Sequence, residues 1–270
     1  MTYSARITAN GLPERDFRAI KAFLVRSTVP LIYESGDIAG IQGSGCLFDL
    51  DGRLYFVTAG HVLDGVDPHK LGVPFRTHGN EVFTLGTGVV GWSRVEAYDV
   101  AAYRIDDEQT SDALRDSYII LRPTNVSTLQ PGAGHFIVAG YPAETVVKQG
   151  KELAPRDLTQ LHTSPYTGDI VGARGEYDLF LNLRREARGL WGNPAIVPKL
   201  LGISGGPVWQ VRKSTEEIWT PESALGLVGI QVSCDQSGEK YVRALRWEVV
   251  AAALLKLAPP DSQEAGSSGI

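Results

Sequence analysis

The sequence predicts an all-β fold, a sandwich or barrel of many short strands, with a helix near each end. Three observations carry this. Short apolar runs recur along the chain, each bounded by Gly, Asp or Asn. Glycine, at 30 residues, and proline, at 15, supply the turns such a fold needs. Of the 270 residues, 43% are hydrophobic and 21% charged, enough apolar material for a packed core and too much for a disordered chain.

The elements follow in order. Pro13-Glu14-Arg15-Asp16-Phe17 reads as a helix start, with proline near the first turn and acids close behind. Phe17, Ile20 and Leu24 share one face of that helix. It is expected to pack on the rest of the protein, because short isolated helices are marginal in water. From Val29 the pattern changes to strands, expected at 29–33, 45–49, 54–58, 82–85 and 100–105. The more polar segment 106–134 reads as a connection between two halves. Further strands are expected at 135–139, 178–183, 207–211, 225–232 and 241–243. Residues 245–257 are helical in pattern, with Leu245, Val249, Ala252 and Leu254 or Leu255 on one buried face. The polar, breaker-rich 259–269 reads as a loose tail.

Composition narrows the function classes. A net charge of -5 disfavours a generic nucleic-acid or anionic-membrane binder, so neither partner is expected. Two cysteines, Cys46 and Cys234, exclude a disulfide-rich scaffold. No secretory signal is read at Met1 to Arg6, and the longest nearly apolar stretch, 249–255, is far short of a membrane span. The expected location is the cytoplasm. The cysteine and histidine spacing forms no recognisable zinc site, and no cofactor is expected.

Three segments carry chemistry. In Gly202-Ile203-Ser204-Gly205-Gly206-Pro207 a serine sits among glycines just before a strand. Acyl transfer needs such an exposed hydroxyl on a tight turn, with backbone N–H groups near a developing oxyanion. In Leu54 to Val62 an apolar strand ends in small residues and delivers His61, a candidate general base held by a rigid element. In Asp99-Val100-Ala101 an aspartate leads an apolar strand, placed to accept an imidazole N–H and fix its tautomer. Each segment alone also reads as ordinary structure: a glycine-rich β-turn, a surface histidine after a strand, an aspartate capping a turn. Asp106 and Asp107, at the far end of the same strand, become candidates only if that strand runs in the reverse sense. His69, His78, His135 and His162 sit in less constrained contexts and are read as structural.

Taken together, Thr58-Ala59-Gly60-His61-Val62, Asp99-Val100-Ala101 and Gly202-Ile203-Ser204-Gly205-Gly206-Pro207 resemble the signature regions of trypsin-like serine peptidases, and most closely those of bacterial members without disulfides. The order His, Asp, Ser is that clan's, not that of subtilisins or α/β-hydrolases. The resemblance implies two perpendicular six-stranded antiparallel β-barrels with a cleft between them. It implies a catalytic triad of His61, Asp99 and Ser204, and an oxyanion hole formed by the N–H groups of Gly202 and Ser204. It places a substrate-pairing strand at Val232-Ser233-Cys234. The implied layout is an N-terminal helical extension over 1–27 and a peptidase domain over 28–257. Within that domain barrel one spans about 28–121, barrel two about 134–243 and the closing helix about 245–257. A tail follows at 258–270.

The chain also departs from the pattern. Extracellular relatives carry an aspartate before the serine that pairs with a new N-terminus after zymogen cleavage. Here that position is Ile203, so no activation of that kind is expected. Val62 stands where those relatives often have a cysteine, so Cys46 lacks a bridge partner, and two buried thiols are expected. The stretch before the serine, from Trp191 to Lys199, holds no aspartate, which leans away from Arg or Lys substrates and towards small or apolar ones. Trp191 and Trp209 are read as core aromatics.

The function implied is a serine endopeptidase acting on a polypeptide substrate through an acyl-enzyme. Two alternatives stay open. One is a latent or inactive peptide-binding or sensor module of the same fold, with a regulatory partner. The other is an esterase using the same triad, since a triad does not itself choose between esters and amides.

Overall fold

Pro13 sets the entry to the first helix, α1 (Glu14–Ser27), and the acids Glu14 and Asp16 fall in its first turn, where the helix dipole favours negative charge. Ile20, Phe23 and Leu24 are buried, and Phe23 meets the ring of Trp209 edge-on at 5.3 Å. The helix therefore packs on the protein, as its apolar stripe requires. This computed structural model describes residues 12–257 except 36–37, 76–81, 86–88, 96–97, 131, 133, 150–151, 156–157, 171–174, 184–185, 189–192, 197–198, 213–217 and 236–239. The expected tail, His78 and Trp191 lie outside the described residues.

The first sheet holds β1 (Val29–Ser35), β2 (Ile38–Leu50), β3 (Arg53–Thr58), β4 (Leu71–Pro74), β5 (Val82–Thr84), β6 (Val89–Val95) and β7 (Val100–Ile105), in the order β5-β4-β1-β2-β3-β7-β6. All its pairings are antiparallel. β2, at 13 residues, pairs with β1 along its first part and with β3 along its last, so it bends from one side of the barrel to the other.

The connection after β7 contains a helix, α2 (Glu108–Ser117), capped by Asp107, which accepts from Thr110 N–H at 2.7 Å. The expectation of a plain connector missed it, because only Leu114 and Ser117 of this helix are buried.

The second half begins with β8 (Phe136–Gly140). β9 (Val146–Gln149) and β10 (Glu152–Pro155) form a hairpin, followed by β11 (Thr159–Thr163), β12 (Asp178–Asn182) and a second hairpin of β13 (Glu186–Arg188) and β14 (Pro194–Ile196). β15 (Pro207–Val211), the short helix α3 (Pro221–Ala224), β16 (Leu225–Cys234) and β17 (Tyr241–Arg246) follow, and α4 (Trp247–Leu257) closes the described chain. The second sheet has six strands in the order β11-β8-β15-β16-β17-β12, again antiparallel. Leu245, expected on the last helix, ends up in β17 opposite Asp178. Its side chain is buried either way, and pairing with β12 and β16 wins it for the sheet.

The two sheets form the predicted double barrel. One large apolar cluster runs from barrel one under α1 and α4 and on to Ile137, Trp209, Leu227 and Ile230 of the second sheet, and a smaller one lies inside barrel two around Phe136, Leu181, Val208 and Val242. Among the described residues, no helix is long and apolar enough to cross a membrane.

Candidate active site

Strand pairing decides where the first two candidates meet. β3 and β7 are antiparallel, with Thr58 opposite Ala101, so the end of β3 and the start of β7 lie at the same rim. His61 leaves β3 on a short 3₁₀ turn, Gly60–Leu63, anchored by the buried Val62. Asp99 lies just before β7. Its carboxylate holds the histidine at two points: Oδ1 accepts the His61 backbone N–H at 2.7 Å, and Oδ2 lies 2.6 Å from Nδ1. An acceptor on Nδ1 favours the tautomer protonated there, which makes Nε2 the nitrogen that can take a proton, with an anion in place to stabilise the imidazolium that results. Asp106 and Asp107 sit at the opposite end of β7. Asp106 pairs with Arg104 and Asp107 caps α2, so neither competes.

Ser204 comes from the other barrel. The turn before β15 brings Gly205 against the end of β3: a Cβ on Gly205 would stand 2.2 Å from Thr58 Oγ1 and 2.8 Å from Ala59 N. Gly205 also has φ +86°, a region that L side chains rarely adopt. Both facts require glycine after the serine. Ser204 itself is half-buried on the rim. Its backbone carbonyl and the side chain of Val62 converge on one point of β2, at 3.1 Å and 2.5 Å from where a Gly43 Cβ would be. No hydrogen bond runs from Ser204 Oγ to His61 among the described residues. In unliganded acyl-transfer sites this contact is often long and tightens only with substrate.

The orientation of two peptide planes in the serine turn is set from behind. Leu201 C=O accepts from Ala143 N–H at 2.7 Å, and Ile203 C=O accepts from Gly206 N–H at 2.9 Å. In a planar trans peptide the N–H points opposite to the C=O. Anchoring these two carbonyls therefore aims the N–H groups of Gly202 and Ser204 away from their anchors. Among the described residues, neither N–H has a backbone acceptor. Two unpaired donors flanking a serine can hold an anionic oxygen. Ile203 is 2% exposed and belongs to the core of barrel two, so an apolar side chain anchors this turn.

No family model and no curated protein matches the chain. Solved structures do. The active form of the Rv3671c protease from M. tuberculosis superposes with a TM-score of 0.52 at 15% identity, over 97% of this chain and 93% of that one. The serine endoprotease from Yersinia pestis gives 0.52 at 17% identity, over 89% and 66%. The fold is that of the trypsin-like serine proteases. A scabies mite inactivated protease paralogue also matches, with a TM-score of 0.50 at 12% identity over 88% and 97%. The trypsin-like fold thus houses both kinds of protein, and the residues of the site have to carry the functional argument.

Other candidates distribute as follows. On β16, Val232 is buried, while Ser233 and Cys234 are half-buried and pair with Arg243 and Val242 of β17. β15 accompanies β16 only as far as Ile230, opposite Pro207, and Gln231 is taken by Gly205 N–H and Gly206 C=O. Past Gln231 the opposite edge of β16 has no strand partner among the described residues. Cys46 is fully buried in β2 and Cys234 lies near the rim; both thiols are free. Burial pushes the Cys46 thiol up to about 12, and burial together with Asp235 pushes Cys234 up to about 11, which makes both poor nucleophiles at neutral pH. Trp209 is a core residue. Two of the histidines read as structural meet each other: His135 Nε2 and His162 Nδ1 lie 3.0 Å apart, with Phe17 stacked on His162. Their spacing in sequence carries no such signal. Among the described residues no group of three metal-ligating side chains occurs.

Proposed function

We propose that this protein is a serine endopeptidase, with Ser204 as nucleophile, His61 as general base and acid, and Asp99 as the carboxylate that orients it. The observation that carries this reading is the two-point grip of Asp99 on His61 at the rim where the Ser204 turn arrives. Ser204 Oγ attacks the peptide carbonyl carbon while His61 Nε2 takes the hydroxyl proton. The negative charge that forms on the carbonyl oxygen is met by the N–H groups of Gly202 and Ser204. His61 then gives its proton to the leaving amine as the C–N bond breaks. Water repeats the sequence on the acyl-enzyme, with His61 again taking the proton and returning it to Ser204.

The open edge of β16 at Val232, Ser233 and Cys234 is the proposed pairing strand for a polypeptide substrate, by β-augmentation. Two free thiols with raised pKa values suit a reducing compartment, and we place the protein in the cytoplasm.

The test is direct. A fluorophosphonate probe should label Ser204, and Ser204→Ala should abolish labelling and lower kcat on a cleaved peptide by about 10⁶. A wild-type protein that is neither labelled nor cleaves casein refutes the reading and leaves a peptide-binding module. Cleavage of p-nitrophenyl esters with no cleavage of any peptide amide would make it an esterase.

A further inference from the structure

Ser44 lies in the bend of β2, fully buried between the two barrels, and every polar atom it has is used. Its Oγ donates to Gly202 C=O at 2.9 Å and accepts from Tyr141 N–H at 2.9 Å. Its backbone N–H donates to Ser204 C=O at 2.8 Å, and its own C=O accepts from Thr58 Oγ1 at 2.7 Å. Thr58 ends the strand that delivers His61. One residue of barrel one therefore holds two carbonyls of the serine turn and is itself tied to the histidine strand.

The two carbonyls it holds are informative. Gly202 C=O and Ser204 C=O belong to the peptide planes that alternate with the two whose N–H groups are the proposed oxyanion donors. Those two are held by Ala143 and Gly206. Ser44 completes the set, so four successive carbonyls, from Leu201 to Ser204, each have a fixed donor. Gly202, at φ +96°, is the residue in this run best able to rotate if a neighbouring plane is released.

We propose that Ser44 is a positioning residue for the oxyanion-binding turn: by locking the Gly202–Ile203 peptide plane it keeps Gly202 from rotating, so that the N–H of the neighbouring Leu201–Gly202 plane stays aimed at the developing oxyanion. This rests on the peptidase reading above. Removing the hydroxyl takes this partner from a buried acceptor on Gly202 and from the Tyr141 N–H. Rotation about Gly202 relieves the first and misaims its N–H. The loss then falls on the tetrahedral species, where charge develops, and not on binding of the intact substrate.

The experiment is inactivation of the full chain by a fluorophosphonate, resolved into kinact and KI. Wild type gives the reference. Ser44→Ala should lower kinact 10- to 100-fold, below the effect of deleting an oxyanion donor outright, with KI within about threefold. Ser44→Thr, which keeps a hydroxyl on the same carbon, should recover at least tenfold of the loss. Should Ser44→Ala fail to fold, the near-isosteric Ser44→Cys, a weaker donor, replaces it with the same expected split. Unchanged kinact in a folded variant, or a loss that appears entirely in KI, overturns the role of Ser44 alone. A wild-type chain that is not inactivated overturns the peptidase reading, and the positioning role with it.

Discussion

Replacing Gly205 by alanine tests the geometry that brings the two barrels together at the site. Two costs add. At φ +86° an L side chain is strained by about 1–2 kcal/mol. The new Cβ would also stand 2.1 Å from Ser44 O and 2.2 Å from Thr58 Oγ1, in a place where backbone on one side and a buried hydroxyl on the other cannot withdraw. Overpacking of this kind costs about 1–3 kcal/mol. The sum, roughly 2–5 kcal/mol, is a large part of ordinary domain stability, typically about 5–15 kcal/mol. Gly52 supplies the control. It has φ +80° but nothing within 4 Å of its Cβ position, so Gly52→Ala carries only the strain. In urea unfolding, Gly205→Ala should lose about 1–3 kcal/mol more stability than Gly52→Ala, the overpacking share alone, at unchanged m-value. In thermal melts the two should differ by several degrees, at about 2–4 °C per kcal/mol for a chain of this size. Equal losses in the two variants would mean that the serine turn does not press against Ser44 and Thr58, and the barrel contact described above would be wrong.

Two further outcomes follow from the site and its surroundings. Asp99→Asn should leave the fold intact and lower kcat by about 10⁴, because an amide can hold His61 Nδ1 in the wrong tautomer; a loss under tenfold, with a melting temperature like wild type, would remove Asp99 from the machinery. The His135–His162 pair should make stability acid-sensitive. Burial, and secondarily the neighbouring His135, pushes His162 from 6.5 down to about 4, and burial also lowers His135. Between those values the unfolded chain takes up a proton that the folded one refuses. Stability is therefore fully present above pH 6.5 and falls as pH drops towards 4, by at most about 3 kcal/mol for His162. His162→Phe, which keeps the stack on Phe17, should flatten the melting temperature across that window, and a slope as steep as wild type would rule the pair out as its cause.

Much of the site was legible in local sequence, because each part of it is a local device. Glycines around Ser204 signal a turn of unusual conformation, small residues after an apolar run signal a strand delivering His61 to a rim, and Asp99 leads its strand. Which acid serves His61 was not local. Asp99 prevails over Asp106 and Asp107 only because β3 and β7 run antiparallel with Thr58 opposite Ala101. Elements with weak apolar patterns were also hidden: β11 buries Leu161 alone among its five residues, and α2 buries only Leu114 and Ser117. Ser44 left one faint trace, the glycines on either side of it. A serine between glycines is common, and nothing nearby in sequence says that its hydroxyl meets Gly202, 158 residues away.

The amino-acid sequence by itself determined the class of fold, the helix at each end, the three chemical segments and their order. These depend on periodicity and turn chemistry, which act over a few residues. Only the tertiary structure decided how those segments meet. It set the grip of Asp99 on His61, the aim of the Gly202 and Ser204 N–H groups, the apolar anchor at Ile203 and the bridge through Ser44. Each of these is a direction in space shared by distant peptides, and such directions exist only after the two sheets have curled and closed on one another.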